Sequence, residues 1–353
     1  MSSLQMIVLR KARLTPWLLA ISILLITGCA PDSNPSSDGP TQQAAEPTQE
    51  IAEANPINLD QFNLTQTFSA HQGVVLDLAF SPDGETLATS GRDLEIKLWD
   101  PETGDILDNF AMVIPDLADI DISPQGNLLA SGEAIWDLET GQEVLTLERG
   151  SYQPTFVAFS PGGSSLALAR FDRETRLLDL STGESIFSFP ALEEKRTKRM
   201  EFSRDGTILA EGVIDGSIRI WDVQSGELIQ TLQYSGETDI HDIGISPDGR
   251  YLAQVGRLPL VIVWDLGTGQ AIQRFRTRDN MNGVAFSVDS RILAASAGAE
   301  KAVLLWDLET GDSLGSLPLS DQSMALGFSP DGRWLAAGTF DGQIYLWEIS
   351  QQP

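Results

Sequence analysis

The chain of 353 residues has one cysteine, Cys29, and two histidines, His71 and His241. A lone thiol excludes a disulfide framework, and two histidines without further thiols fall short of a zinc set. Bases are scarce as well, with 23 Lys and Arg against 50 Asp and Glu, a formal net charge of −27. Such a chain offers no basic footprint for a phosphate backbone, so no nucleic-acid partner is expected. It also repels anionic lipid headgroups. No Ser–His–acid spacing, phosphate-cradling glycine loop or dinucleotide fingerprint is found, so no catalytic residue and no cofactor is assigned. His241 sits in Asp239-Ile240-His241-Asp242, as a surface residue or a weak metal ligand, and no metal site is assigned there.

Long apolar runs are nearly absent too. The exception is Trp17 to Ile26, too short to span a bilayer comfortably, preceded by Arg10, Lys11 and Arg13. This arrangement reads as an export signal over residues 1–28. Its end, Ile26-Thr27-Gly28-Cys29, resembles the lipobox of bacterial lipoproteins. The resemblance implies that Cys29 becomes an acylated N-terminus, whose several chains give stable anchoring. The alternative is an uncleaved signal anchor. From Cys29 to residue 60 the chain is Pro, Ser, Gln, Ala and Glu with almost no aromatics, the composition of a disordered tether. The expected location is extracytoplasmic, on the inner or the outer membrane, with Cys29 the only membrane attachment. Removing the leader, which carries three bases and no acid, takes the charge to −30. That charge is most simply a solubility device.

What the chain has in abundance is repetition. A Trp-Asp dipeptide recurs as Trp99-Asp100, Trp136-Asp137, Leu178-Asp179, Trp221-Asp222, Trp264-Asp265, Trp306-Asp307 and Trp347-Glu348, at steps of 37, 42, 43, 43, 42 and 41 residues. A second marker of Ser-Pro-Asp-Gly type starts at Ser81, Ser123, Ser160, Ser203, Ser246, Ser287 and Ser329. It precedes the dipeptide by 18 residues in five units, by 19 in the sixth and by 13 in the second. Two signals locked in register define a repeat protein. Between the markers, short apolar runs alternate with turn residues, which is strand patterning. Four short strands per unit make a sheet apolar on both faces, stable only when packed against its neighbours.

Marker, spacing and strand pattern together resemble the WD-repeat β-propeller family over residues 61–350. The resemblance implies an all-β fold of seven four-stranded antiparallel blades. It also implies closure by a lent strand: Phe62 to Phe68 completes the last blade, whose own chain stops after Trp347-Glu348-Ile349-Ser350. The family's structural hydrogen-bond set falls on Thr89, His71, Asp93 and Trp99. Asp172, Asp215 and Asp341 hold the place of Asp93 in other units, but none of those units has the histidine.

In that fold the turns divide between two faces. The lower turns are strongly acidic, with Arg204, Arg250, Arg291 and Arg333 as their bases, and the upper loops are mixed. Unit two is clipped at Gly132-Glu133-Ala134, and unit three ends in the basic cluster Lys195, Arg196, Lys198 and Arg199, near Arg170 and Arg173. These six bases are the candidate partner rim on the upper face. An eroded repeat with a solvated loop is the plainer reading. Tyr251 and Trp334 share a second-strand column and are expected to pack between blades.

The expected function is a membrane-anchored, non-enzymatic scaffold, monomeric, that meets other proteins through its upper face. Two alternatives stay open. One is an extracytoplasmic propeller enzyme, lactonase-like or quinone-dependent. The other is a small-ligand or calcium receptor built on a carboxylate ring in the channel.

Overall fold

The alternating pattern of the first unit forms four antiparallel strands, Val75–Phe80, Leu87–Gly91, Glu95–Trp99 and Ile106–Ala111. The computed structural model describes residues 57–112, 119–132, 134–147, 155–170, 174–190, 196–234 and 239–350. Within them lie seven four-stranded sheets, the blades of a seven-bladed propeller. In six blades the strands pair in chain order from the inner strand outwards. In the seventh the outer strand is Phe62–Ser69, which pairs antiparallel with Gln343–Ile349. Among the described residues no helix is long and apolar enough to cross a membrane.

Both sequence markers are turns with a local chemical cause. In the first, the Ser81 hydroxyl donates to Asp83 and accepts the Thr86 N–H at 2.9 Å, while Gly84 turns at φ 73°. In the second, Asp100 accepts the Glu102 and Thr103 N–H groups at 2.8 and 3.2 Å, and Gly104 follows at φ 77°. Asp179 does the same for Ser181 and Thr182, which is why the degenerate unit keeps its aspartate after losing its tryptophan. Glu348 has no such hairpin to begin, because the next strand of its blade comes from the front of the chain. The aspartate belongs to the turn, and where the turn is missing so is the aspartate.

The core is divided among the seams. One apolar cluster joins blade 7 to blade 1 through Val75, Phe80, Leu87 and Trp99 on one side and Trp334, Ala336 and Ile344 on the other. The seam between blades 1 and 2 is built likewise from Ile96, Phe110, Leu129 and Trp136, and each further seam has its own cluster. Trp99 packs on Phe68 of the closing strand at 4.7 Å between ring centroids, as Trp306 packs on Phe275 of the preceding blade at 5.0 Å. The closing seam is therefore made like the others. Trp334 lies within the seam between blades 7 and 1, and Tyr251 packs against the one between blades 5 and 6.

On the circumference each of blades 1 to 6 has a bulge where the outer strand leaves the tryptophan position. The extra residue there is aliphatic, as with Leu107, Val144, Ile186, Ile229 and Ile272, all about half exposed. A bulge on an edge strand interrupts the ladder another chain would have to join.

Candidate functional site: channel, rim and buried polar columns

The four residues of the structural set meet in blade 1. The Trp99 indole N–H donates to Thr89 Oγ1 at 2.8 Å. An indole nitrogen only donates, so the hydroxyl passes its own proton to His71 Nε2, also at 2.8 Å. His71 Nδ1–H then donates to Asp93 at 2.8 Å. Burial holds the imidazole below its ordinary pKa, against the pull of Asp93, so the ring stays neutral. Asp93 is raised by burial but lowered more by the Gln72 N–H and its neighbours, with a net downward shift. The set is a closed chain of satisfied groups that stiffens the blade.

Other blades answer the same indole differently, and the sequence reading missed how. The Thr89 position is Glu211 in blade 4 and Gln254 in blade 5. Trp221 donates to Glu211 at 3.1 Å, and Trp264 donates to Gln254 at 3.1 Å. Glu211 also accepts from Thr175 of blade 3, from Thr197 and from Arg219. In blade 3, which has Leu178 for tryptophan, the position is Leu168; with no indole donor, no acceptor is needed. Asp341 serves hydroxyls in place of a histidine, those of Thr339 and Ser320. Asp215 caps Ser217, and Asp172 lies outside the described residues.

The candidate rim divides. Lys195 and Arg173 lie outside the described residues, and Arg170 ends the second strand of blade 3, Ser165–Arg170. Arg196 is exposed on the upper face, just before the inner strand of blade 4, Thr197–Phe202. Lys198 Nζ lies 3.3 Å from Asp239 Oδ1. Arg199 is not a rim residue. It belongs to that inner strand, and its guanidinium enters the central channel to meet Asp119 of blade 2, Asp242 of blade 5 at 3.3 Å and Asp77 of blade 1 at 3.9 Å. Strand alternation and the pull of three carboxylates turn it inward, where a loop residue would stay in solvent.

The channel is a cavity of about 740 Å³ whose charged lining is Asp77, Asp119, Asp121, Glu201 and Asp242 with Arg199 among them and Arg204 lower down. These acids have a structural task. Each inner strand pairs on one edge only, which leaves N–H groups facing the channel. Asp77 accepts the Ile120 N–H of the next blade at 3.0 Å, Asp119 that of Val157 at 2.7 Å, and Asp242 that of Val284 at 2.9 Å. Two residues further along the strand, Asp121 accepts from Phe159 at 2.7 Å and Glu201 from Ile245 at 2.8 Å. The signal was present in the sequence, since Asp77, Asp119, Arg199 and Asp242 all stand four residues before the marker serine.

Burial dominates the titration of these groups. It pushes Asp121 up to about 7 and Glu201 up to about 8. Asp242 rises to about 6, burial outweighing Arg199, and Asp119 is also raised well above the ordinary carboxylate range. Burial works against the charge of Arg199, but Asp77, Asp242 and Asp119 more than offset it. Among the described residues no three His, Cys, Asp or Glu side chains are grouped to hold a metal ion. His241 is half-buried, and its Nδ1–H donates to the Met281 carbonyl of blade 6 at 2.9 Å.

Comparison with known proteins agrees with this architecture. The WD domain, G-beta repeat model matches residues 62–100, 269–307 and 314–348. These three stretches match the WD-repeat model. Each matched stretch opens on the outer strand of one blade and runs into the next, so the sequence repeat is offset from the blade by one strand. The WD40 domain model of anaphase-promoting complex subunit 4 matches residues 190–246, across blade 4. Striatin-4 of Mus musculus is 32% identical over 155 residues, which cover 38% of this chain and 20% of striatin-4. COMPASS component SWD3 of Saccharomyces cerevisiae is 27% identical over 142 residues, 36% of this chain and 45% of that protein. A WD repeat-containing protein of Synechocystis is 27% identical over 152 residues, 39% of this chain and 44% of its own length. The chain spans less than half the length of each of these relatives.

Proposed function

We propose that the protein is a non-enzymatic interaction platform, held outside the cytoplasmic membrane by lipid on Cys29 and meeting protein partners through its upper face. The observation that carries the scaffold reading is the use to which the polar side chains are put. The channel carboxylates hold backbone N–H groups and one guanidinium, and His71 is locked neutral in a blade. These groups are engaged in holding blades together. One relative is by name a component of an assembly, which fits a platform. The anchor reading draws on the basic run, the apolar stretch and Ile26-Thr27-Gly28-Cys29.

The test is a crosslinking pull-down from intact cells. It compares the wild-type chain with Lys195→Gln/Arg196→Gln/Lys198→Gln, leaving Arg199 in place because it belongs to the channel. Partners lost in the variant support the upper rim. Partners kept in both move the site elsewhere on the ring, and no specific partner in either sinks the scaffold reading. Cys29→Ala should release the chain from membranes, and its persistence in a washed membrane fraction would contradict the lipid anchor.

The rival reading, a calcium or small-ligand receptor in the channel, draws on the converging carboxylates. Arg199 already engages three of them. Calcium titration of the full chain by calorimetry decides, since a saturable heat abolished by Asp119→Asn would favour the receptor.

A further inference from the structure

Five carboxylates and two guanidinium groups, Arg199 and the lower Arg204, line the channel, so full ionisation would leave a net three negative charges there. Arg199 reaches Asp77, Asp119 and Asp242. Among the described residues it forms no ion pair with Asp121 or Glu201, yet each of these bridges two blades, from blade 2 to the Phe159 N–H and from blade 4 to the Ile245 N–H. The two seams are therefore held by acids whose ionisation adds charge that no ion pair of their own offsets.

We propose that Asp121 and Glu201 form a proton-operated brace of the ring. With protons on, they hold the inner strands of blades 2 and 3 and of blades 4 and 5 together. With protons off, they load the channel with like charge and loosen the same seams. The groups facing them are Asp77 from blade 1, Asp119 from blade 2, Arg199 from blade 4, Asp242 from blade 5 and Arg204 from the lower mouth. Among the described residues, blades 3, 6 and 7 line the cavity with uncharged side chains such as Val157, Val284 and Met324.

The sign follows from proton affinity. Burial raises Asp121 to about 7 and Glu201 to about 8, above the unfolded values of about 4. The folded chain then binds more protons, so stability grows as pH falls from about 8 toward about 4 and is lost as pH rises. His71, held neutral, works the other way, but only near and below its unfolded value of about 6.5. The window from about pH 9 to about pH 6.5 therefore avoids His71, and the difference in slope between wild type and a variant lacking both acids separates the brace from Asp119 and Asp242, which burial also raises.

Melting temperatures of the full chain across that window test it. The wild type should melt several degrees higher at the acidic end. Asp121→Asn/Glu201→Gln should melt above wild type at the alkaline end and converge with it at the acidic end. The exposed control Asp312→Asn should keep the wild-type slope. A wild-type curve that is flat or falls on acidification overturns the proposal, as does an unchanged slope in the double variant. Should the double variant not fold, Glu201→Gln alone is read the same way at smaller amplitude. Calorimetry in buffers of different ionisation enthalpy gives an independent decision. Wild-type unfolding near pH 7.5 must release protons, and zero release or uptake refutes the brace.

Discussion

Thr89→Val separates hydrogen bonding from packing in blade 1. The residue is fully buried, and valine has nearly its shape, so no cavity opens. What disappears is the oxygen that accepts from Trp99 and donates to His71, both at 2.8 Å. An indole N–H and an imidazole nitrogen are left buried and unsatisfied, each costing about 1–3 kcal/mol, or about 2–6 kcal/mol together. Thr89→Ser keeps the oxygen and removes one methyl, a loss of about 1 kcal/mol. The assay is urea denaturation of the full chain at constant m-value, read as the shift in midpoint. The expected order of cost is valine above serine. If serine costs more than valine, methyl packing governs the site and the network argument is wrong.

Phe62→Ala should lower stability by about 3–5 kcal/mol, because the ring is buried in the seam between blades 6 and 7; a loss under about 1 kcal/mol in the same assay would mean that the lent strand contributes little to closure. Gly342→Ala should be strongly destabilising. Its φ is 82°, and an added Cβ would lie 2.1 Å from the His71 carbonyl oxygen, so a melting temperature equal to wild type would contradict the close approach. Glu211→Ala removes the acceptor shared by Thr175, Thr197, Trp221 and Arg219 and should cost about 3–5 kcal/mol; a cost no greater than that of Thr89→Ser would show that the carboxylate is dispensable. On the acid side, hydroxyl and backbone donors hold Asp83, Asp137, Asp179, Asp205, Asp222 and Asp265 below the ordinary aspartate value. Their contribution is present above about pH 4 and lost as pH falls below it, so the melting temperature should drop below about pH 3.5; a curve level down to about pH 2 would refute that.

The repeat signals themselves were legible because they are local. Ser81, Asp83 and Gly84 satisfy one another within a few residues, and so do Asp100, Thr103 and Gly104, so turn chemistry shows directly in the order of residues. The lent strand was legible for a related reason: a unit with three strands at one end and a spare strand at the other leaves one pairing for both. Arg199 was not legible. Beside Lys195, Arg196 and Lys198 it reads as one more base of a charged loop. Its place depends on a strand that starts two residues earlier and on carboxylates up to 122 positions away in the chain, at Asp77.

By itself the sequence determined the blade count, the strand order, the turns and the closure, since each follows from contacts within a unit or from the arithmetic of its repetition. Only the tertiary structure decided what the carboxylates do. Ring closure brings Asp77, Asp119, Asp121, Glu201 and Asp242 from four blades to one cavity, beside the N–H groups of neighbouring inner strands and the guanidinium of Arg199. Charge, burial and proton affinity there depend on that convergence, and convergence is a property of the closed ring.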